Sequence, residues 1–131
     1  MLCSQIYKKA LRLIGEIEPD DVRTEDYLER APYILANAVS ELRRLDVYYR
    51  EAFSLGEQVL APDTELCLPL SEPFPLCSRF VPAVSAYLAS ILLIDEDGAL
   101  SDKLYDKFCL GITAITEEIP AERQKILDMY K

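Results

Sequence analysis

The stretch LPLSEPFPLCSRFVPAVSAYLASILLI, residues 68–94, sets three prolines (Pro69, Pro73, Pro75) within seven residues and then runs almost unbroken in apolar side chains. Each proline fixes its own φ and biases the residue before it toward extended or polyproline backbone, so 68–77 is not helix. Ser78 is an N-cap candidate for the segment that follows, and Pro82 is tolerated in or beside its first turn. From Val81 to Ile94 only Ser85, Tyr87 and Ser90 interrupt the apolar run, and they fall on different helical faces. A helix apolar nearly all round is buried all round. In a chain of 131 residues that requires packing by most of the other elements, or by a neighbouring subunit. The proline segment is therefore an elbow within one domain, leading into a central helix.

Working outward, Ser4 is placed to cap a first helix whose stripe is Ile6, Ala10, Leu13, Ile14 and Ile17, ended by Gly15 and Pro19. Thr24 is a second N-cap candidate, with Glu25 and Asp26 suited to the positive end of the helix dipole. Pro32 then either ends a short helix at 25–30 or kinks a longer one. Beyond it, Leu35, Ala38, Val39, Leu42, Leu45 and Tyr49 describe a long helix to about Ala52, with Glu41, Arg43, Arg44, Arg50 and Glu51 on a solvated face. On the other side of the central helix, Asp95-Glu96-Asp97-Gly98 marks a break, and Ser101 caps a helix striped by Leu104, Phe108, Ile112, Ile115 and Ile119. Pro120 divides that helix from AERQKILDMYK (121–131), whose Ile126, Leu127, Met129 and Tyr130 suit either a fifth helix packed on its own domain or a docking tail. The expected fold is mainly α: a four- to five-helix bundle in a single domain, 1–131.

Between the second and third main helices, residues 54–79 lose the helical period. Gln58–Ala61 and Glu65–Leu68 flank the turn residues Pro62-Asp63-Thr64, predicting a short β-hairpin or extended excursion before the elbow. Charge concentrates there as well. The chain's net charge is −9, yet residues 1–53 carry 10 acids against 8 bases and residues 102–131 carry 6 against 5. Residues 54–101 carry seven acids (among them Glu57, Asp63, Glu65 and Glu72) against Arg79 alone. An acidic middle opposes tight wrapping of nucleic acid, which needs Lys and Arg on phosphates. It is compatible with duplex passing nearby, and equally with acids that serve solubility.

The sequence is poor in the groups that do chemistry. It has no histidine, which removes the commonest general base and the Ser-His and Cys-His nucleophiles. Its four glycines form no phosphate-cradling loop. The Asp95–Asp97 cluster fails the spacing of a calcium loop, because Gly98 at position 6 would put Leu93 and Leu104 where liganding acids belong. Cys3, Cys67, Cys77 and Cys109 lack zinc spacing and read as reduced thiols, a Cys67–Cys77 bridge being the alternative. Tyr48, Tyr49, Tyr87 and Tyr105 lie on or beside apolar stripes, as core residues do. No signal-peptide pattern is present, and the longest apolar run is shorter than the roughly 20 residues needed to span a bilayer. The expectation is a soluble, non-enzymatic protein without cofactor, metal or membrane partner.

The combined pattern resembles the small head–tail connector, or adaptor, proteins of tailed bacteriophages and prophages. It consists of a first helix ending ALRLIGE (10–16) and a long second helix in APYILANAVSELRRLD (31–46), then an excursion closing in LPLSEPFPLCSRFVPAVSAYLASILL (68–93), then LSDKLYDKF (100–108). The resemblance implies a helical bundle with a β excursion that assembles as a homo-oligomeric ring beneath the portal protein. It also implies contacts with tail or head-completion proteins and a virion location after assembly in the host cytoplasm. DNA would cross its channel without specific binding, and no catalytic residue carries over. Glu57, Asp63, Glu65 and Glu72 become candidate channel-facing acids that repel phosphate, and Ile126, Leu127, Met129 and Tyr130 a candidate portal-docking tail. The alternative is a small acidic helical module, a DNA mimic or inhibitor, that binds a basic partner.

Overall fold

A computed structural model describes residues 1–15, 22–60, 64 and 66–120. The chain folds as α1 (Cys3–Ile14), α2 (Val22–Phe53), a 3₁₀ turn (Ser78–Phe80), α3 (Val81–Leu93) and α4 (Gly98–Glu118). The mainly helical bundle expected from the sequence is formed. The expected fifth helix at 121–131 lies outside the described residues.

α3 is the centre. Ten of its thirteen residues are buried, and it packs against α1, α2 and α4, as its all-round apolarity requires. Its own serines are satisfied locally: Ser85 Oγ donates to Val81 O at 2.8 Å and Ser90 Oγ to Tyr87 O at 2.7 Å. The short link at 94–97 makes α3 and α4 an antiparallel pair. Their contacts descend in register: Ser101 Oγ donates to Ser90 O at 2.7 Å, the Tyr87 and Phe108 rings meet tilted with centroids 5.0 Å apart, and Arg79 meets Glu118 at 2.6 Å. Where Ala83 faces Gly111 the helices approach so closely that a Cβ on Gly111 would lie 3.3 Å from that of Ala83.

α2 runs antiparallel to the same column, pairing Tyr27 with Glu96, Arg30 with Ile91 O, Asn37 with Tyr87 and Tyr49 with Phe80. It is one continuous helix through Pro32. A helix-interior proline costs roughly 3 kcal/mol, but Tyr27, Ala31, Leu35, Ala38, Val39 and Leu42 are all buried. Their spacing of three and four continues one core-facing stripe across the proline, and the packing on both sides outweighs the lost hydrogen bond.

None of the four expected caps is the one used: α2 already begins at Val22, ahead of Thr24, and Ser78 is the first residue of the 3₁₀ turn, α3 being entered from Phe80 with no side-chain cap. α1 begins at Cys3, ahead of Ser4, with Leu2 N–H donating to Gln5 Oε1 at 2.8 Å. Cys3 and Ser4 N–H donate to Glu72 O (3.0 Å) and Leu70 O (2.9 Å), so the elbow does the work a serine cap would do. α4 begins at Gly98 because Asp97 caps it, accepting from Leu100 N–H at 3.1 Å. Ser101 is an interior, buried residue bonded to α3. The Gly15 stop is as read: φ is +91°, and its N–H closes on Arg12 O at 3.1 Å.

The expected β-hairpin is not formed: no strand occurs among the described residues, only an isolated antiparallel bridge of Leu2 with Pro73. One backbone group of the expected strands pairs elsewhere, Leu68 N–H donating to Pro32 O at 3.0 Å, and the Gln58 side chain ties the outgoing limb to α2, Nε2 donating to Arg43 O at 2.9 Å. The two limbs are thus tied back onto α2 at Gln58 and Leu68, with Leu68, Phe74 and Leu76 contributing to the core.

Candidate docking surface

The loop between α2 and the 3₁₀ turn is pinned by one buried carboxylate. Asp46 is wholly buried. Its Oδ2 accepts from Arg50 Nε at 2.7 Å and Gln58 Nε2 at 2.7 Å, and its Oδ1 from Cys77 N–H at 2.8 Å. Arg50 Nη2 continues to Pro75 O at 3.2 Å. Asp46 therefore clamps the outgoing limb at Gln58 and the returning limb at Cys77 onto the same turn of α2. Arg50, read as part of a solvated face, is instead largely covered, its side chain 16% exposed. The sequence held one signal for Asp46: it falls seven residues after Val39 and four after Leu42, on the core stripe, with a base four residues later.

Between the limbs lies an open groove of about 740 Å³. Its lining includes the apolar Val59, Leu60, Leu68 and Phe74, the exposed acids Glu57 and Glu72, and Arg50 with Pro75. Val59 is 81% exposed, and Leu66, on the same loop, 75%. Single exposed apolar residues are ordinary, but apolar side chains gathered along a concave surface mark a binding face.

Of the acids expected on the excursion, Glu57 and Glu72 are exposed and line the groove. Asp63 and Glu65 lie outside the described residues, as do Ile126, Leu127, Met129 and Tyr130 of the tail. The base of this region is paired within the fold. Arg79, the single base of residues 54–101, grips Glu118 with Nη2 at 2.6 Å and Nε at 3.0 Å, and Tyr49 OH donates to Glu118 at 3.1 Å. The hydrogen bond from Arg79 holds the Glu118 carboxyl below its ordinary range. Asp95, Glu96 and Asp97 are exposed at the α3–α4 turn, and Tyr27 OH, from a fully buried ring, donates to Glu96.

All four cysteines are free thiols. Burial pushes Cys3 and Cys77 up to about 11, while Cys67 sits half-buried in the groove wall and Cys109 is exposed on α4. Among the described residues no group of three or more metal-ligating side chains converges, and no described helix is long and apolar enough to cross a membrane. Tyr49 and Tyr87 pack on the core. The most deeply buried tyrosines, Tyr27 and Tyr7, escaped the sequence reading because Tyr7 lies one position off the stripe begun at Ile6, and Tyr27 precedes Pro32, beyond which the second stripe was counted. No protein-family model, curated protein or solved structure matches the chain.

Proposed function

We propose that the chain is a structural head–tail connector of a tailed phage or prophage, a ring subunit that sits beneath the portal around the DNA channel. The observation that carries this reading is the segregation of charge. Glu57 and Glu72 are exposed on one loop, while the only base of that region, Arg79, is neutralised by Glu118. A loop with uncompensated acids presents a repulsive surface to duplex DNA, which favours sliding over sticking. The order of helices that suggested the resemblance, a short first, a long proline-containing second and a buried third, supports the reading, although the β excursion it implied is not formed. Ring closure needs two different complementary patches per subunit, and the groove beside the loop supplies a concave one.

The direct test mixes the purified chain with portal rings from the same phage or prophage and images the product by electron microscopy. Added ring-shaped density at the portal's mouth is the expected result. Portal rings that remain bare across salt and protein concentrations refute the reading. Tight capture of a basic protein in competition with DNA would instead support the acidic-module alternative.

A further inference from the structure

A second concave surface, sharing no residue with the loop groove, lies between α2 and α4. Tyr87 of α3 and Tyr105 and Phe108 of α4 line it with Ala38, Glu41 and Leu42 of α2, around a cleft of about 280 Å³. The Tyr87 and Phe108 centroids are 5.0 Å apart with the rings tilted by 53°, and those of Tyr105 and Phe108 are 5.8 Å apart at 51°. Rings at such angles do not stack face on face. Asn37 holds Tyr87 in place, its Nδ2 donating to the Tyr87 hydroxyl at 2.6 Å. Phe108 packs against the core, whereas Tyr105, which the sequence sets beside an apolar stripe, is 46% exposed.

Pockets for drug-sized ligands run from about 300 Å³ upward, so this cleft suits a single side chain. Its charge selects which kind. Glu41 is exposed and enters no ion pair among the described residues, and none of the six lining residues is basic. Asp102, also exposed, lies three residues before Tyr105 on the same side of α4. Lys103 and Lys107 stand two residues to either side of Tyr105, about 160° around the helix from it. Arg44, one turn beyond Glu41, lines a different cleft. Aromatic faces and an unpaired carboxylate both attract a cation, and the ring spacings let one cation lie within about 6 Å of neighbouring centroids at once. Arginine fits best of the cationic side chains: its planar guanidinium is weakly hydrated, lies flat on rings and bonds a carboxylate through two N–H groups.

We propose that this cleft takes an arginine side chain from a partner protein, its guanidinium against the Tyr105 and Phe108 rings and paired with Glu41. Arginine seated in a pocket is a common anchor of protein interfaces, and the cleft supplies one such anchor point within a larger contact. The site goes beyond the connector reading and does not depend on it.

The probe is arginine capped as its N-acetyl methylamide, titrated into the full chain and followed by NMR through the ring resonances of Tyr87, Tyr105 and Phe108. Saturable shifts with a Kd in the millimolar range are expected, the strength of one side chain acting alone. The equally capped citrulline, a neutral isostere, should bind at least about fivefold more weakly. Glu41→Gln and Tyr105→Leu should each weaken the arginine probe about threefold to tenfold. Both positions are exposed, and unmoved resonances of the buried Tyr27 and Phe80 check the fold. If Tyr105→Leu disturbs them, Glu41→Gln decides. Absence of saturable shifts, equal binding of arginine and citrulline, or unchanged arginine binding in the deciding variant overturns the proposal. Ring shifts that grow as the chain is concentrated without probe also overturn it, since the occupant would then be a second copy.

Discussion

Replacing Asp46 by alanine removes the clamp on which the loop's placement depends. Three donors converge on this carboxylate within 2.7–2.8 Å. Alanine leaves Cys77 N–H without its acceptor, and an unsatisfied buried amide costs about 1–3 kcal/mol. It also leaves the Arg50 guanidinium largely covered with only Pro75 O as partner, and breaking a buried pair from one side costs about 3–5 kcal/mol. The two penalties overlap, because Arg50 swings toward the groove and water enters, so the expected loss is about 3–5 kcal/mol in all. For a chain of this size that lowers Tm by roughly 12–20 °C. Asp46→Asn keeps an acceptor for Cys77 N–H but presents an amide NH₂ to Arg50, giving a smaller loss of about 1–3 kcal/mol. Replacing both partners by apolar residues, Asp46→Leu with Arg50→Met, should recover much of the deficit. The assay is urea unfolding followed by circular dichroism, with m compared among variants. A loss below about 1 kcal/mol for Asp46→Ala at unchanged m would refute the claim that this carboxylate holds the loop.

Three further outcomes follow from particular contacts. Gly98 opens α4 with nothing near a built Cβ and no positive φ, so Gly98→Ala should stabilise by about 0.4–1 kcal/mol in the same unfolding assay. The Arg79–Glu118 pair contributes only where the carboxylate is ionised. Because its folded pKa is depressed, that contribution is present above the ordinary carboxylate range and is lost as pH falls through the folded value. The stability gap between wild type and Glu118→Gln, measured against pH, should accordingly be small near neutrality, shrink with salt, and close in acid. Cys3 and Cys77 are raised from 9.0 to about 11, which lowers their thiolate fraction about a hundredfold at pH 8. Alkylation of the native protein should therefore spare both until denaturant is added.

How much of this was legible in the sequence divides along physical lines. The central helix was readable because nothing but burial on all sides suits VPAVSAYLASILL, and ten of those residues are buried. The α4 stripe was readable from its three-and-four period, with Leu104, Ile115 and Ile119 buried. The continuity of α2 was not, because propensity weighs Pro32 locally while the outcome depends on Tyr27 and Ala31 joining a stripe whose partners lie in α3 and beyond. Caps failed where a competitor came from far along the chain: Ser4 lost its role to carbonyls some seventy residues away. The hairpin failed because pattern reading pairs a loop with itself, whereas Leu68 N–H goes to Pro32 O and the Gln58 side chain ties the other limb to α2. Asp46 was the hardest to foresee. A carboxylate on an apolar stripe is explained only by the donors that meet it, and Cys77 N–H cannot be placed there before the loop is folded.

The elbow shows why its prolines are three and not one. A proline contributes a carbonyl but no N–H, so the stretch from Leu68 to Cys77 has more acceptors than donors. The N-terminus of a helix has the opposite imbalance, its first amides lacking partners within the helix. The elbow lies across the start of α1, where Leu70 O and Glu72 O take the amides of Ser4 and Cys3. Further along, Pro75 O takes the Arg50 guanidinium. Its few amides are placed with equal economy: Leu68 N–H goes to Pro32 O, Phe74 N–H to Met1 O at 2.8 Å and Cys77 N–H to Asp46. Acceptor surplus meets donor surplus, and among the described residues no buried side-chain polar atom is left without a partner. The prolines thus do more than hold the path extended. By withholding amides they fix which neighbours the path can satisfy, and so place the loop, its groove and its exposed acids on the α2 side of the bundle.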